Sequence, residues 1–269
     1  MYISKILIVG SKNTRTRKIL ETSLKELGYF VNYKNSNGII YIGNLSKKIL
    51  LKLLNNKAKI IIFVDTNGEY VIPLTGEERG GSIIGGIIAD ILNAQLILTS
   101  KFSEKGLISI KEFCWINALK PLNSYKIKEI NNKFIRNKLI KIYNDDLTRD
   151  YYIPDGYEST NSPENADIII SEKNYWLKEK LILKPIQVIV GVLYKKNVPE
   201  QVIKNVIELT NKSIGISPRR VDKIIRKEFE EDIKLNICKS LLLTNNARII
   251  LKPSKRALNV YTCLGVSSF

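Results

Sequence analysis

The fold is organised around the stretch Val71-Ile-Pro-Leu-Thr-Gly-Glu-Glu-Arg-Gly-Gly-Ser-Ile-Ile-Gly-Gly-Ile-Ile-Ala-Asp-Ile-Leu-Asn93. Its first part, together with residues 69 and 70, is typical of a short strand closed by Pro73. A polar loop with three glycines follows at 75–81. Isoleucine and leucine then recur at helical spacing from 83 to 92, and Ser82 stands where an N-cap is expected. The stretch therefore predicts a strand, a loop and a helix in succession.

The opposite side of this predicted helix is almost bare of side chains, because Ser82, Gly85, Gly86 and Ala89 fall on it. Each glycine inside a helix costs roughly 1 kcal/mol relative to alanine, so the pattern indicates that something approaches closely. One interpretation is a ligand site, since the positive end of a helix binds anions. The other is a tight turn with close packing of helix on sheet. The pattern leaves both open.

The rest of the chain alternates strand-like apolar runs with amphipathic helices, which predicts the α/β class. We expect two α/β domains, 1–105 and 185–269, joined by a smaller, variable middle region at 106–184. Within the last part, Pro218 is expected to open a helix that buries Val221, Ile224, Ile225 and Phe229. Arg219 and Arg220, at its start, are expected to face solvent.

The absence of histidine limits the chemistry. Serine and cysteine hydrolases of the His-dependent type and histidine-ligated metal sites are excluded. Acid–base steps must therefore use Glu, Asp, Lys, Tyr or Cys.

The three cysteines, Cys114, Cys238 and Cys263, are scattered and odd in number. This pattern favours a reducing compartment and argues against disulfides, so Cys238 and Cys263 are expected to be small buried hydrophobic residues. No apolar run approaches the ~18 residues of a membrane span. We expect a soluble cytoplasmic protein without a membrane partner.

The net charge is +17, from 43 Lys and Arg against 26 Asp and Glu, and it indicates an anionic partner. Nucleic acid would satisfy the charge. However, the sequence has no RNP-like aromatic strand, no recognisable helix-turn-helix and no basic helix with interleaved aromatics. A membrane surface or a polycarboxylate or phosphate ligand would satisfy the charge as well, and the charge alone does not choose between these partners.

Several segments in order resemble one family, the cobalamin-biosynthesis protein CbiG, the cobalt-precorrin-5A hydrolases. The family's motif around a Ser-Gly-His-x-Gly-Gly loop is similar to 72–82 here, and its C-terminal domain opening is similar to Gly191–Pro199. Shorter likenesses occur at 37–42, 96–100, 106–110, 153–157 and 259–264. The resemblance covers nearly the whole chain.

The resemblance implies an enzyme of the anaerobic route to the corrin ring. Members open the δ-lactone of cobalt-precorrin-5A and release acetaldehyde, giving cobalt-precorrin-5B. The implied ligand is an anionic cobalt tetrapyrrole. No cofactor or protein-bound metal is expected, since the substrate carries the cobalt. Neighbouring enzymes of the pathway and a second copy of the chain are partners that the sequence leaves open.

On this basis Glu77 and Glu78 are candidate catalytic bases, and Gly80 and Gly81 are candidate oxyanion donors. Arg79, Lys195 and Lys196 are expected to bind carboxylates. Carboxylates near a helix N-terminus are also favoured by its dipole alone. The remaining candidate substrate-binding residues are Thr75, Gly76, Ser82, Gly191 and Tyr194.

The two loops, 75–82 and 191–199, are expected to share one cleft. This sequence departs from the family by an acidic residue in place of the motif histidine and by one inserted residue. It also has Tyr194-Lys195-Lys196-Asn197 where the family has Cys-Arg-Arg-Gly. A non-catalytic tetrapyrrole-binding protein is therefore the alternative function.

Overall fold

The computed structural model describes residues 2–33, 35–136, 138–173, 177, 179–229 and 236–267. These residues form three mixed or mostly parallel β-sheets with helices packed on them, which confirms the predicted α/β class. The N-terminal, middle and C-terminal parts of the chain each contribute one sheet. Among the described residues, no helix is both long and apolar enough to cross a membrane.

The N-terminal sheet has six strands in the order β2-β1-β3-β4-β5-β6. Its strands are β1 (Lys5–Gly10), β2 (Phe30–Val31), β3 (Gly38–Ile42), β4 (Ile60–Val64), β5 (Tyr70–Thr75) and β6 (Gln95–Leu96). Its helices are α1 (Arg15–Glu26), α2 (Lys47–Leu54) and α3 (Gly81–Leu92). Strand β4 is buried along its whole length, and β5 returns antiparallel beside it through a turn after Val64. The isoleucine-rich pattern of β4 fits a strand covered on both faces.

The predicted strand–loop–helix is present as β5, a 3-10 turn at Glu77–Arg79 and α3. Its N-cap is Gly80 rather than Ser82, and Gly80 adopts a left-handed backbone with φ of 99°. A side chain there would collide with the ring of Trp115, its Cβ lying 2.4 Å from a ring carbon. The helix therefore begins two residues earlier than expected, and at its N-cap only glycine fits both the conformation and the space.

Among the small residues of α3, Gly85 serves packing on the sheet. A Cβ on Gly85 would lie 3.0 Å from Leu96 and 3.2 Å from Pro73, whereas one on Gly86 would meet nothing within 4 Å. On another side of α3, Ile83 packs against Gly215 from the C-terminal part of the chain. Close helix–sheet packing thus explains Gly85, and α3 is held between two parts of the molecule.

The middle part of the chain carries its own five-stranded sheet in the order β7-β11-β10-β8-β9. Its elements are α4 (Ile110–Ile116), β7 (Leu119–Pro121), α5 (Ile127–Ile135), β8 (Ile140–Asn144), β9 (Tyr157–Thr160), β10 (Ile168–Ile170) and β11 (Leu181–Pro185). A separate hydrophobic cluster fills it, with Phe113, Phe134 and Tyr157 in ring contact. This part is a packed α/β layer rather than a bare connector.

The C-terminal sheet has four strands in the order β13-β12-β15-β14. Its elements are β12 (Gln187–Lys195), α6 (Glu200–Lys212), β13 (Lys223–Phe229), α7 (Asn236–Leu243), β14 (Arg248–Ala257) and β15 (Val260–Ser267). The helix expected after Pro218 is wrong, because this segment pairs with β12 in parallel as an edge strand. The turn expected from Gly191 is also wrong: β12 continues to Lys195, and Gly191 lies buried within it.

A disulfide joins Cys238 on α7 to Cys263 on β15, which corrects the expectation of unpaired cysteines. Gly191 lies directly against it, since a Cβ there would come within 2.8 Å of the Cys263 sulfur. Both cysteines are buried, as expected, and Cys114 is a buried free thiol.

One continuous hydrophobic cluster joins the N-terminal and C-terminal parts of the chain. Tyr29 donates a hydrogen bond to the Ser213 carbonyl at 2.8 Å, and Lys252 N–H donates to the Gly28 carbonyl at 2.8 Å. The division into domains at 105 and 184 stays a prediction. The first and last parts of the chain nevertheless share a core.

Candidate functional site

A cleft of about 500 Å³ opens beside the loop that connects β5 to α3. We call it the β5 cleft. It is lined by Leu54, Asn56, Ala58, Lys59, Ile61, Pro73, Leu74, Thr75, Gly76, Glu77, Glu78, Arg79, Thr99, Ser100 and Lys111. Five of the candidate residues, those from 75 to 79, are therefore brought together here.

The β5 cleft combines an apolar wall with cations. The wall is formed by Leu54, Ala58, Ile61, Pro73 and Leu74. The cations are Lys59, Arg79 and Lys111, which come from three different places in the chain. Within the described part of the chain, none of the three forms an ion pair with a carboxylate. The cleft can therefore receive an anion that also has an apolar surface.

Glu77 has its carboxylate fully engaged with the protein. It accepts hydrogen bonds from the Thr99 N–H at 3.0 Å, the Ser100 N–H at 3.2 Å and the Ser103 hydroxyl at 2.6 Å. Partial burial opposes the charged form, but these hydrogen bonds win and lower the pKa of Glu77. A carboxylate held in this way is a poor proton acceptor.

Glu78 and Arg79 differ from Glu77 in their surroundings. Glu78 is half-buried, and its carboxylate has no hydrogen-bond or ion-pair partner among the described residues. Arg79 is exposed at the cleft. The Thr75 hydroxyl is buried in the same wall and lacks a partner within the described ranges. Glu78 is thus the carboxylate of the cleft that can accept a hydrogen bond from a ligand or a water.

The glycines and Ser82 after the cleft are committed to local structure. Gly81 N–H donates to the Gly76 carbonyl at 3.0 Å, so it is not directed at a ligand. Gly76 itself has φ of 73° and stands against the Lys59 carbonyl. The Ser82 hydroxyl donates to Glu112, whose other carboxylate oxygen accepts from the Ser109 N–H at 2.9 Å. This pair fastens α3 to α4.

The second predicted loop does not reach the β5 cleft: Gly191, Tyr194, Lys195 and Lys196 are described, and none of them lines it. Gly191 is buried, Tyr194 and Lys195 are half-buried, and Lys196 is exposed. Gly215 follows the C-terminal end of α6 and packs against Ile83 of α3, whereas the turn after β12 lies at the N-terminal end of α6. The 13 residues of α6 separate the two ends by about 20 Å. The two loops therefore do not share one cleft.

Sequence reasoning missed Lys59 and Lys111 as members of the site. Lys59 immediately precedes the buried strand β4, and that position is a usable signal because strand ends border clefts. Lys111 lies in the first turn of α4, far along the chain, and no local pattern marks it. Only the docking of α4 beside α3 brings it to the cleft.

The expectation that Arg220 faces solvent is also wrong, since its exposure is 1%. Its guanidinium donates to the Asn117 carbonyl at 3.0 Å and to the Ile186 carbonyl at 3.2 Å, and it contacts Asp222 at 3.4 Å. Arg149 also binds Asp222, at 2.6 Å. Together with Asp146, these groups form a buried charge network between the middle and C-terminal parts, which we call the junction network.

Comparison with known proteins identifies a relative in structure but not in sequence. No family model matches the chain, and no curated protein matches it. A solved structure of a Sulfolobus solfataricus protein, assigned as a cobalamin biosynthesis protein G homolog, matches with a TM-score of 0.59 and 18% identity. The match covers 99% of this chain and 98% of that one. This chain therefore shares its α/β fold, over the full length, with that protein.

Proposed function

We propose that this protein acts in cobalamin biosynthesis and binds an anionic cobalt tetrapyrrole in the β5 cleft. The observation that carries the proposal is the composition of the cleft: an apolar wall faced by three cations that lack carboxylate partners among the described residues. A corrin precursor has a flat apolar ring and a fringe of carboxylates. The full-length fold match to a protein assigned to this pathway supports the same conclusion.

The proposed reaction is hydrolysis of the δ-lactone of cobalt-precorrin-5A, with release of acetaldehyde. Glu78 would take a proton from the water that attacks the lactone carbonyl. Arg79, Lys59 and Lys111 would hold carboxylates of the fringe by charge-assisted hydrogen bonds. Lys111 lies in the first turn of α4, where the helix dipole disfavours a cation. A role in binding an anion would account for a lysine at this unfavourable position. The cobalt belongs to the substrate.

Glu77 is left out of the proton transfer because its carboxylate is already bound by three donors. Gly81 is left out of oxyanion stabilisation for the same kind of reason, since its N–H donates to Gly76. Positive charge from Arg79 or Lys111 would stabilise the developing oxyanion instead. A homodimer and contacts with neighbouring pathway enzymes stay predictions.

The test is turnover of cobalt-precorrin-5A, followed by acetaldehyde release and by the mass of the tetrapyrrole product. Release by the wild-type protein, and its loss in Glu78→Gln with binding retained, would support the hydrolase. Binding without release would instead favour the non-catalytic tetrapyrrole-binding protein. Neither binding nor release would limit the relationship to the fold.

A further inference from the structure

Glu77 connects two parts of the wall of the β5 cleft. It belongs to the 3-10 turn after β5, whereas the groups that bind its carboxylate belong to the loop at 99–103. Thr99 and Ser100 line the cleft together with residues 75–79. One carboxylate thus fixes the relative position of two segments that both face the ligand.

We propose that Glu77 is a positioning residue, which clamps the 99–103 loop to the 75–79 segment and so sets the shape of the β5 cleft. Its role is distinct from that of its neighbour: Glu78 meets the substrate, and Glu77 holds the wall. The effect on ligand binding rests on the proposed function, whereas the clamp itself does not.

The start of the 99–103 loop depends on Glu77, whereas its later part is held by the buried side chain of Phe102 and by the Glu104 N–H, which donates to the Ser100 carbonyl at 3.0 Å. Strand β6 ends at Leu96, and the loop then runs to the 3-10 turn at Ser103–Lys105. Within the loop, the Ser100 hydroxyl receives the Ser103 N–H at 3.2 Å. The N–H groups of Thr99 and Ser100 are directed to Glu77. Without the carboxylate these two donors would lose their acceptor, and a donor without an acceptor must turn to water.

Substitution of Glu77 by glutamine tests the clamp directly. A glutamate accepts at two oxygens, whereas glutamine accepts at one and presents an NH₂ group to the remaining donors. Glu77→Gln keeps the size of the side chain but cannot receive the Thr99, Ser100 and Ser103 donors together. Glu104→Gln removes the same charge and is the matched control, because Glu104 lies exposed in the adjoining 3-10 turn.

The first measurement is amide hydrogen exchange at Thr99 and Ser100 by NMR. In Glu77→Gln we expect these amides to exchange about tenfold faster or more, since their bonds no longer hold the loop closed. Glu104→Gln should leave them unchanged. In the wild-type protein both amide resonances should also shift with pH at a midpoint below the ordinary value of 4.5, and this shift should vanish in Glu77→Gln. Equal exchange rates in all three proteins would overturn the clamp.

The second measurement is binding of uroporphyrin, a carboxylate-fringed tetrapyrrole, followed by its fluorescence. Glu77→Gln should weaken binding by about tenfold while circular dichroism stays that of the wild type, and Glu104→Gln should bind like the wild type. With cobalt-precorrin-5A, Glu77→Gln should raise KM more than it lowers kcat, whereas Glu78→Gln should lower kcat.

The two proposals fail in different ways. Faster exchange with unchanged uroporphyrin affinity would refute the positioning role. If wild-type protein does not bind uroporphyrin, the proposed function fails, and the exchange rates still support or overturn the clamp.

Discussion

The junction network and the β5 cleft both concentrate basic side chains, but they treat the charge in opposite ways. At the junction, Arg149 contacts Asp146 and Asp222 at 2.6 Å each and also reaches Glu172. At the cleft, Lys59, Arg79 and Lys111 form no ion pair with described carboxylates. Buried cations must be paired because an unpaired buried charge is costly, whereas partly exposed cations can wait for an external anion.

The comparison shows that a basic composition does not locate a binding site. Arg220 is the most deeply buried cation of the two regions, and its guanidinium is satisfied by the Asn117 and Ile186 carbonyls and by Asp222. The cations of the cleft differ because they lack a carboxylate partner among the described residues. A search for function in a +17 chain should therefore begin with cations that have no protein partner.

The largest expected effect is at the junction. Arg220→Met removes a buried cation and leaves Asp222 without one of its partners. We expect a loss of about 3–5 kcal/mol in unfolding free energy, measured by chemical denaturation. Arg219→Met is the matched control because Arg219 is 68% exposed and, among the described residues, pairs with the exposed Asp150. It should change stability by less than about 1 kcal/mol. Similar losses in both variants would break the comparison.

The next largest effect is the response of the junction to acid. Burial disfavours the charge on Asp146, but hydrogen bonds from Thr148, Tyr151 and Arg149 lower its pKa to about 2. A lowered pKa means that the stabilisation is complete above the unfolded pKa and is lost as pH falls towards 2. We expect a loss on the order of 2 kcal/mol between pH 5 and pH 2 from this group.

The measurement for this second effect is denaturation at a series of pH values for the wild-type protein and for Asp146→Asn. Glu77 also has a lowered pKa and contributes in the same window, so the difference between the two proteins is the decisive quantity. Parallel curves for wild type and variant would show that Asp146 does not carry the acid response.

The smallest expected effect is on stability at the cleft, where ligand binding should change instead. Lys111→Met should leave the unfolding free energy within about 0.5 kcal/mol and weaken uroporphyrin binding by about tenfold at low salt. Lys128→Met, an exposed lysine on α5 outside the cleft, is the control. Salt should reduce the affinity of the wild-type protein for uroporphyrin, since the ion pairs between the cations of the cleft and the ligand carboxylates are partly exposed. An equal effect of the two variants would indicate a diffuse attraction to the basic surface.

Local signals were sufficient for much of the N-terminal part. The signals for β3 and α2 are local, because β3 is a continuous apolar run and the Ser46 side chain caps α2. The strand–loop–helix was also found, although its N-cap moved from Ser82 to Gly80. That shift depends on Trp115, which approaches Gly80 from another part of the chain.

The errors have a common physical cause, which is contact between distant segments. Residues 221–229 have apolar side chains at helical spacing, but pairing with β12 makes them a strand. Arg220 is buried only because Asn117, Ile186 and Asp222 converge on it. Cys238 and Cys263 pair only because α7 packs on β15. Lys111 joins the cleft for the same reason.

The candidate site was predicted in part. Residues 75–79 do meet in one cleft, and this followed from the loop before a helix. The division of labour between Glu77 and Glu78 could not be predicted, because it depends on the position of the 99–103 loop. The second half of the expected site, at Lys195 and Lys196, lies elsewhere.

The core shared by the first and last parts of the chain has a consequence for synthesis on the ribosome. The face of the N-terminal sheet that meets residues 188–266 is complete in sequence long before its partner exists. At roughly 5–20 residues per second, the ribosome needs on the order of 10 to 30 s to supply the missing side. During that interval the helices α1 and α3 leave isoleucine and leucine side chains exposed to water, and these are covered only when the last strands arrive.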